Sequence, residues 1–258
     1  MNPALGILLK KMSKIKKIYY NYMIGGDTNS LWNDVETESF PPDYFEEPIP
    51  ALKGYDVNYR HAKCPAWKEY YKNTWILKQS FPLGLRYKSE EKFLGSNLGQ
   101  TEFDSYFELD KRWLDGEYPE VQLHHQYCFW TEDSDVWVEQ FPHADMTRLG
   151  LEVVHGTFPI SVWQRPITLG LKIIVWDHDI WLKKGASLCY IRFSSQRTRD
   201  VKFTLQQRPI PRKVFKQQLQ DRDLKKWHKE GSWNLIKDRL NKEEKESSCP
   251  FNFLWKDK

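Results

Sequence analysis

Three stretches close together in the chain decide the fold: LGLEVVHGTFPISVW (149–163), RPITLGLKIIVW (165–176) and SLCYIRF (187–193). Each is rich in β-branched and aromatic residues, which favour strands. Gly, Pro and Asp residues interrupt them at short intervals, and no helical pattern lies between them. The spacing predicts a mainly β protein whose core is an antiparallel β-sandwich or a jelly-roll-like barrel.

Strand-like segments continue toward the N-terminus from this region. A short helix or turn is expected at 65–71, and the turn-rich sequence TEDSD separates the last two of the further predicted strands. These strands are expected at 74–78, 83–87, 121–130 and 136–142. The chain contains 12 Trp, 13 Tyr and 14 Phe but has a mean hydropathy of -0.71, which indicates a few large core side chains beneath a charged surface.

The charge pattern divides the chain into three parts. Residues 1–59 are expected to form a basic leader followed by an acidic, Pro- and aromatic-rich extended arm. Residues 60–203 are the predicted β core. Residues 204–258 are a predicted basic helical tail packed on that core, since apolar residues recur there at helical intervals. A second Met at position 12 suggests that residues 1–11 are an extension from an upstream start.

No segment reaches the roughly 20 apolar residues that a membrane-spanning helix needs. The short apolar run Ala4–Leu9 precedes its lysines rather than following them, unlike a signal peptide. We therefore expect an intracellular protein that is neither secreted nor bound to a membrane.

Common catalytic and cofactor-binding motifs are missing from the sequence. The four cysteines form no CxxC pair, and no GxSxG, Walker A or GxGxxG motif is present. On a strand, Cys128 and His124 lie roughly 13 Å apart, too far for a nucleophile and its base. We expect no cofactor and name no catalytic residue.

A metal site has weak support. His124 and His125 are adjacent on a predicted strand and therefore point to opposite faces. His178 and Asp179 are also adjacent, whereas an Fe(II) oxygenase triad requires an acid two positions after the histidine. These four residues are the metal-ligand candidates, and a solvated turn at 177–179 is the competing interpretation.

Cations concentrate in residues 192–229, interleaved with aromatic side chains. Such a segment can bind phosphates and stack bases. A solvated helix face, or pairing with the acidic arm at 27–50, is the competing interpretation. The polyanion-binding candidates are Arg197, Arg199, Lys202, Arg208, Arg212, Lys213, Lys216, Lys225, Lys226 and Trp227.

Three pieces of the sequence resemble uncharacterised proteins of tailed bacteriophages, particularly those of marine bacteria. They are CPAWKEYYKNTWILKQSFPL (64–83), PISVWQRPITLGLKI (159–173) and DIWLKKGASLCYIRF (179–193). The later CPFNFLW (249–255) is similar in kind. The resemblance spans roughly residues 60–200 and implies a phage gene, expressed in the host cytoplasm or carried in the virion. It implies no activity and no catalytic residue.

These observations favour a non-catalytic binding or assembly protein whose partners are other protein chains of phage or host. The first alternative is a metal-dependent, Fe(II)-type enzyme on a jelly-roll scaffold. The second is a nucleic-acid-binding protein that uses the basic tail.

Overall fold

A computed structural model describes residues 15–22, 45–46, 64–79, 81–109, 114, 117–198, 200–214 and 237–242. These residues contain fourteen strands and three short helices, and further helical residues lie at 212–214 and 237–242. The strands are β1 (Ile15–Tyr22), β2 (Phe45–Glu46), β3 (Thr74–Lys78), β4 (Leu83–Lys88), β5 (Phe93–Ser96), β6 (Phe107–Glu108), β7 (Glu120–Trp130), β8 (Trp137–Pro142), β9 (Leu151–Val153), β10 (Gly156–Pro159), β11 (Arg165–Ile173), β12 (Ile180–Leu182), β13 (Ser187–Ser194) and β14 (Lys202–Gln207). The helices are α1 (Pro65–Tyr70), α2 (Gln100–Tyr106) and α3 (Ala144–Arg148).

The strands form three sheets. The first has the order β14-β1-β7-β11-β9, with β6 also paired to β7; the second has the order β10-β8-β13-β3-β2; the third is β12-β4-β5. Among the described strands, every pair is antiparallel except β1 with β14. The mainly β, antiparallel sandwich architecture predicted from the sequence is confirmed.

Alternation along the strands builds the core. On β13, Cys189, Ile191 and Phe193 are buried while Tyr190 and Arg192 are only half-buried. Successive side chains point to opposite faces of a strand, so one face of each sheet is apolar. These faces and the inner face of the third sheet contribute to one continuous cluster of buried side chains.

The second hydrophobic cluster covers the outer face of the first sheet. Tyr19 on β1 and Trp130 on β7 pack there with Ile210 and Val214 from the segment after β14. The first sheet is therefore apolar on both faces at this point, and Tyr127–Trp130 is an uninterrupted buried run. The start of the C-terminal segment packs on the sheet.

Strand β1 was missed by the sequence analysis, which placed residues 15–22 in the basic leader and arm. It lies between β14 and β7, inside the first sheet. Its Lys16 is almost fully buried because the ammonium group donates hydrogen bonds to the carbonyl oxygens of Ser134 and Asp135. Apart from residues 20–22 and 45–46, the predicted arm at 20–60 lies outside the described residues.

Strand β14 runs to Gln207, beyond the point at which the sequence analysis starts the helical tail. Helical residues begin at 212, and the predicted helices between 215 and 236 lie outside the described part of the chain. Within the described residues, no helix has the length and apolar character needed to cross a membrane.

Candidate functional site

The outer face of the third sheet carries two large aromatic side chains in solvent. Phe93 is 53% exposed and Trp181 is 50% exposed, although both are on strands. Strand pairing places them on one face with two cations, because residues that face each other across a ladder share a side of the sheet. Phe93 lies opposite Lys88, and Trp181 lies opposite Gly84, two residues before Arg86 on β4.

Two glycines, Gly84 and Gly95, shape the surface of this face. A Cβ atom on Gly84 would lie 2.5 Å from Cζ3 of Trp181, so the indole ring lies across the glycine backbone. Gly95 lies opposite Arg86, and a Cβ atom there would lie 3.4 Å from Cε1 of Phe93. The result is a cleft of about 350 Å³. We call the face formed by Gly84, Arg86, Lys88, Phe93, Gly95 and Trp181 the third-sheet platform.

The cations of the third-sheet platform have acidic neighbours at its edges. A guanidinium nitrogen of Arg86 lies 3.4 Å from Oδ1 of Asp179, and Nζ of Lys88 lies 2.9 Å from Oε1 of Glu91. All four side chains are largely exposed, so each pair contributes little to stability. The third-sheet platform therefore combines two exposed aromatic side chains with two cations whose charges are balanced by neighbouring carboxylates.

The turn at 177–179 is a structural connection to β4. Asp177 has a φ of 59° and accepts hydrogen bonds from the Ser89 hydroxyl at 2.6 Å and the Ser89 backbone N–H at 3.1 Å. These bonds stabilise the carboxylate and lower the pKa of Asp177 below its usual value. This is the solvated Asp-rich turn that the sequence analysis gave as the competing interpretation of the metal candidates.

The four metal-ligand candidates lie on two different sheets. His124 is on β7, with Nε2 3.6 Å from Oε2 of Glu108 and Nδ1 3.4 Å from the Thr168 hydroxyl. His125 is on the same strand, and its side chain lies outside the described residues. His178 and Asp179 precede β12 in the third sheet. Among the side chains that the structure describes, no three His, Cys, Asp or Glu residues are grouped as metal ligands.

The outer face of the second sheet holds an arginine between two rings. The guanidinium carbon of Arg192 lies 5.1 Å from the ring centre of Tyr70 and 5.2 Å from that of Phe141. Its Nε donates to Oε2 of Glu139 at 2.8 Å, and the other carboxylate oxygen lies 2.8 Å from Nε2 of His155. The Arg192–Glu139 ion pair is mostly buried, and the cluster ties α1 and His155, the residue before β10, to the sheet.

Burial makes two of the described cysteine thiols poor nucleophiles. Cys128 and Cys189 are completely buried, and burial raises the pKa of the Cys189 thiol. Cys64 is exposed, at the start of α1. Cys128 is therefore a core side chain of β7 and not an accessible nucleophile.

The polyanion candidates fall partly outside the described residues. Arg208 stacks on the ring of Tyr19 at 4.4 Å, and Lys213 lies 4.0 Å from Glu132. Arg197, Lys202 and Arg212 are also exposed. The side chains of Arg199, Lys216, Lys225, Lys226 and Trp227 are not among those described.

The aromatic and cationic residues of the third-sheet platform were missed by the sequence analysis. The segment LGLRYK (83–88) alternates apolar and other residues, which marks a half-buried strand with Arg86 and Lys88 outward. The sequence did not say which strands flank β4, so it did not bring Phe93 and Trp181 together with these cations.

Comparisons with known proteins define no family for this chain. No family model matches it, and no curated protein matches it either. Among solved structures, it is similar to a native dUTPase of EIAV at 8% sequence identity and a TM-score of 0.30, over 54% of this chain and 84% of that chain. A likeness of this size carries no argument about function.

Proposed function

We propose that the protein is a phage-encoded, non-catalytic binding or assembly protein that docks another protein chain on the third-sheet platform. The observation that carries the proposal is the pair of half-exposed rings, Phe93 and Trp181, on one face of one sheet. Exposed aromatics scattered singly are ordinary, whereas a shared apolar face bordered by polar groups is typical of interaction surfaces.

The composition of the third-sheet platform suits a protein partner. Trp and Arg are enriched among the residues that dominate binding energy at interfaces, and both are present here with a cleft between them. The ion pairs at Asp179 and Glu91 lie at the edges and resemble the polar rim of such an interface. Their near-neutral balance favours a protein chain over a polyanion.

The other aromatic surface is a weaker candidate. On the second sheet, Arg192 is already occupied by the Glu139 carboxylate and by two rings of the same chain. On the third-sheet platform, Trp181 lies against Gly84, and about half of its surface remains exposed to a partner. The resemblance to tailed-phage proteins supports a phage or host chain as that partner, in the host cytoplasm or in the virion.

The test places a photo-crosslinking amino acid at position 93 and expresses the protein in infected host cells. The chain that becomes crosslinked is then identified by mass spectrometry. The identified chain is then purified, and its affinity is measured by calorimetry. Trp181→Ala should weaken binding by about 2 kcal/mol or more, roughly 30-fold, if the indole is a central anchor.

Tyr118→Ala provides the matched control, because Tyr118 is also an exposed aromatic residue (45%) but lies away from β4, β5 and β12. It should leave the affinity unchanged. Equal loss with both variants, or crosslinks of the same yield from position 118, would contradict the proposal. Circular dichroism and thermal melting verify that each variant is folded.

A further inference from the structure

A second cleft lies on a different surface, where the chain crosses from the first sheet to the second. Strand β9 belongs to the first sheet and β10 to the second, so residues 154–155 connect the two. They line a cleft together with residues of β7, β8, β10 and β11 and with Trp163. The cleft has a volume of about 340 Å³, within the range of roughly 300–1,000 Å³ typical of ligand sites. We call it the crossover cleft.

Gln140 lines the crossover cleft and has an unused acceptor. The residue is 8% exposed, and its Nε2 donates to the carbonyl oxygens of Thr168 at 3.3 Å and Val154 at 3.5 Å. Carbonyl oxygens only accept hydrogen bonds, so these contacts fix which end of the amide faces them. Oε1 is buried and accepts no hydrogen bond from any described group of the protein. A ligand hydroxyl that donates a hydrogen bond would satisfy this oxygen, and because the oxygen has almost no accessible surface, the Gln140 amide must turn toward the crossover cleft to receive it.

Two glycines keep the crossover cleft open. A Cβ atom on Gly156 would lie 3.5 Å from Nε2 of Gln140, and a Cβ on Gly170 would lie 3.1 Å from Val154. A side chain at position 156 would therefore occupy the space beside Gln140, and one at position 170 would press on Val154. Gly156 does not have a positive φ, so its backbone conformation does not require glycine. The effect of the missing Cβ is to leave space in the crossover cleft.

An aromatic corner forms one wall. The rings of Phe158 and Trp163 lie 5.6 Å apart at an interplanar angle of 73°, and both side chains are half-buried. Part of each residue therefore remains at the surface of the crossover cleft. Aromatic surfaces of this kind pack against the C–H faces of a ring-shaped ligand.

The charges that border the crossover cleft are balanced. Oε1 of Glu120 lies 3.9 Å from Nζ of Lys172. His155 contacts Glu139, which is itself paired with Arg192. An anionic ligand would therefore meet no uncompensated cation among the described lining residues, and a cationic ligand would compete with Lys172 for Glu120. This pattern favours a neutral ligand.

We propose that the crossover cleft binds a neutral sugar ring, with one hydroxyl donating to Oε1 of Gln140 and a C–H face packed on Phe158 and Trp163. A monosaccharide combines hydroxyl donors with apolar ring faces, which match the acceptor and the aromatic wall. The site shares no residue with the third-sheet platform, so it stands whether or not the platform binds a protein.

The test is saturation-transfer NMR on the full chain with methyl glycosides of glucose, galactose and mannose and with N-acetylglucosamine, followed by titration. We expect at least one probe to bind saturably with a Kd of roughly millimolar or below. Gly156→Val fills the cleft from a position where a Cβ makes only an ordinary contact, so it should fold and weaken binding about tenfold or more.

Thr157→Val is the matched control. It also places a valine on the same strand, at an exposed side chain that points to the opposite face. It should retain wild-type affinity, whereas Trp163→Ala should weaken binding like Gly156→Val. Absence of binding by every sugar, equal binding by Gly156→Val and wild type, or tighter binding of adenosine or choline in the crossover cleft would each overturn the proposal.

Discussion

At the scale of single residues, two glycines with nearly the same backbone conformation have different surroundings. Gly150 follows α3 with a φ of +86°, and Gly185 lies in the turn between β12 and β13 with a φ of +83°. A Cβ on Gly150 would lie 2.1 Å from Cγ2 of Val175, whereas a Cβ on Gly185 would have nothing within 4 Å. Substitution of Gly185 therefore tests backbone strain alone, whereas substitution of Gly150 tests backbone strain together with steric overlap.

We expect Gly185→Ala to lower the free energy of unfolding by about 1–2 kcal/mol, the cost of a left-handed conformation for an L-residue. Gly150→Ala should cost roughly 2–5 kcal/mol, because overpacking against Val175 adds to the same strain. Urea unfolding followed by tryptophan fluorescence measures both. Equal losses would show that the Val175 contact relaxes without cost.

At the scale of elements, β1 contributes to stability according to its position inside the first sheet. It pairs with β14 from Ile15 to Tyr20 and with β7 from Tyr19 to Tyr22, so the strand lies inside the first sheet. Ile18 is completely buried in the main core, while Ile15 on the same strand is 59% exposed. The two positions carry the same side chain in opposite environments.

We expect Ile18→Ala to lower the free energy of unfolding by about 2–5 kcal/mol, through lost apolar burial and the cavity that it leaves. Ile15→Ala should change it by no more than about 0.5 kcal/mol, as is usual for exposed sites. Chemical denaturation of both variants is the measurement. A similar, small effect at both positions would contradict the placement of β1 inside the core.

At the scale of the whole molecule, opposite charges are separated along the sequence. The arm at 27–50 is acidic and the segment at 192–229 is basic, in a chain with a net charge of +4. We expect them to pair, and the full-length chain therefore to bind nucleic acid weakly at every salt concentration. Fluorescence anisotropy with labelled single- and double-stranded oligonucleotides measures this.

Deleting the arm together with residues 1–26 would also remove β1, so neutralisation is the sharper experiment. Replacing the acids by Asn or Gln should strengthen binding and steepen its salt dependence, with a log–log slope of about -0.9 per duplex phosphate neutralised. Tight, salt-sensitive binding by the unmodified chain would contradict the pairing. The acids are Asp27, Asp34, Glu36, Glu38, Asp43, Glu46 and Glu47.

The sequence by itself determined the class of fold and several strands. The predicted strand at 74–78 has the bounds of β3, and those predicted at 83–87, 121–130 and 136–142 differ from β4, β7 and β8 by one residue at an end. Local alternation, β-branched residues and turn signals suffice for this, because they act over neighbouring residues.

Only the tertiary structure decided the role of β1 and the location of both candidate sites. Lys16 looks like a solvated cation until the carbonyl oxygens of Ser134 and Asp135 are seen to receive its ammonium group, more than a hundred residues away. Likewise, Trp181 meets Gly84, and Gln140 meets the backbone of Thr168, only through strand pairing and sheet packing. Such long-range partners leave no periodic signal in the sequence, because each depends on where distant strands are placed by the core.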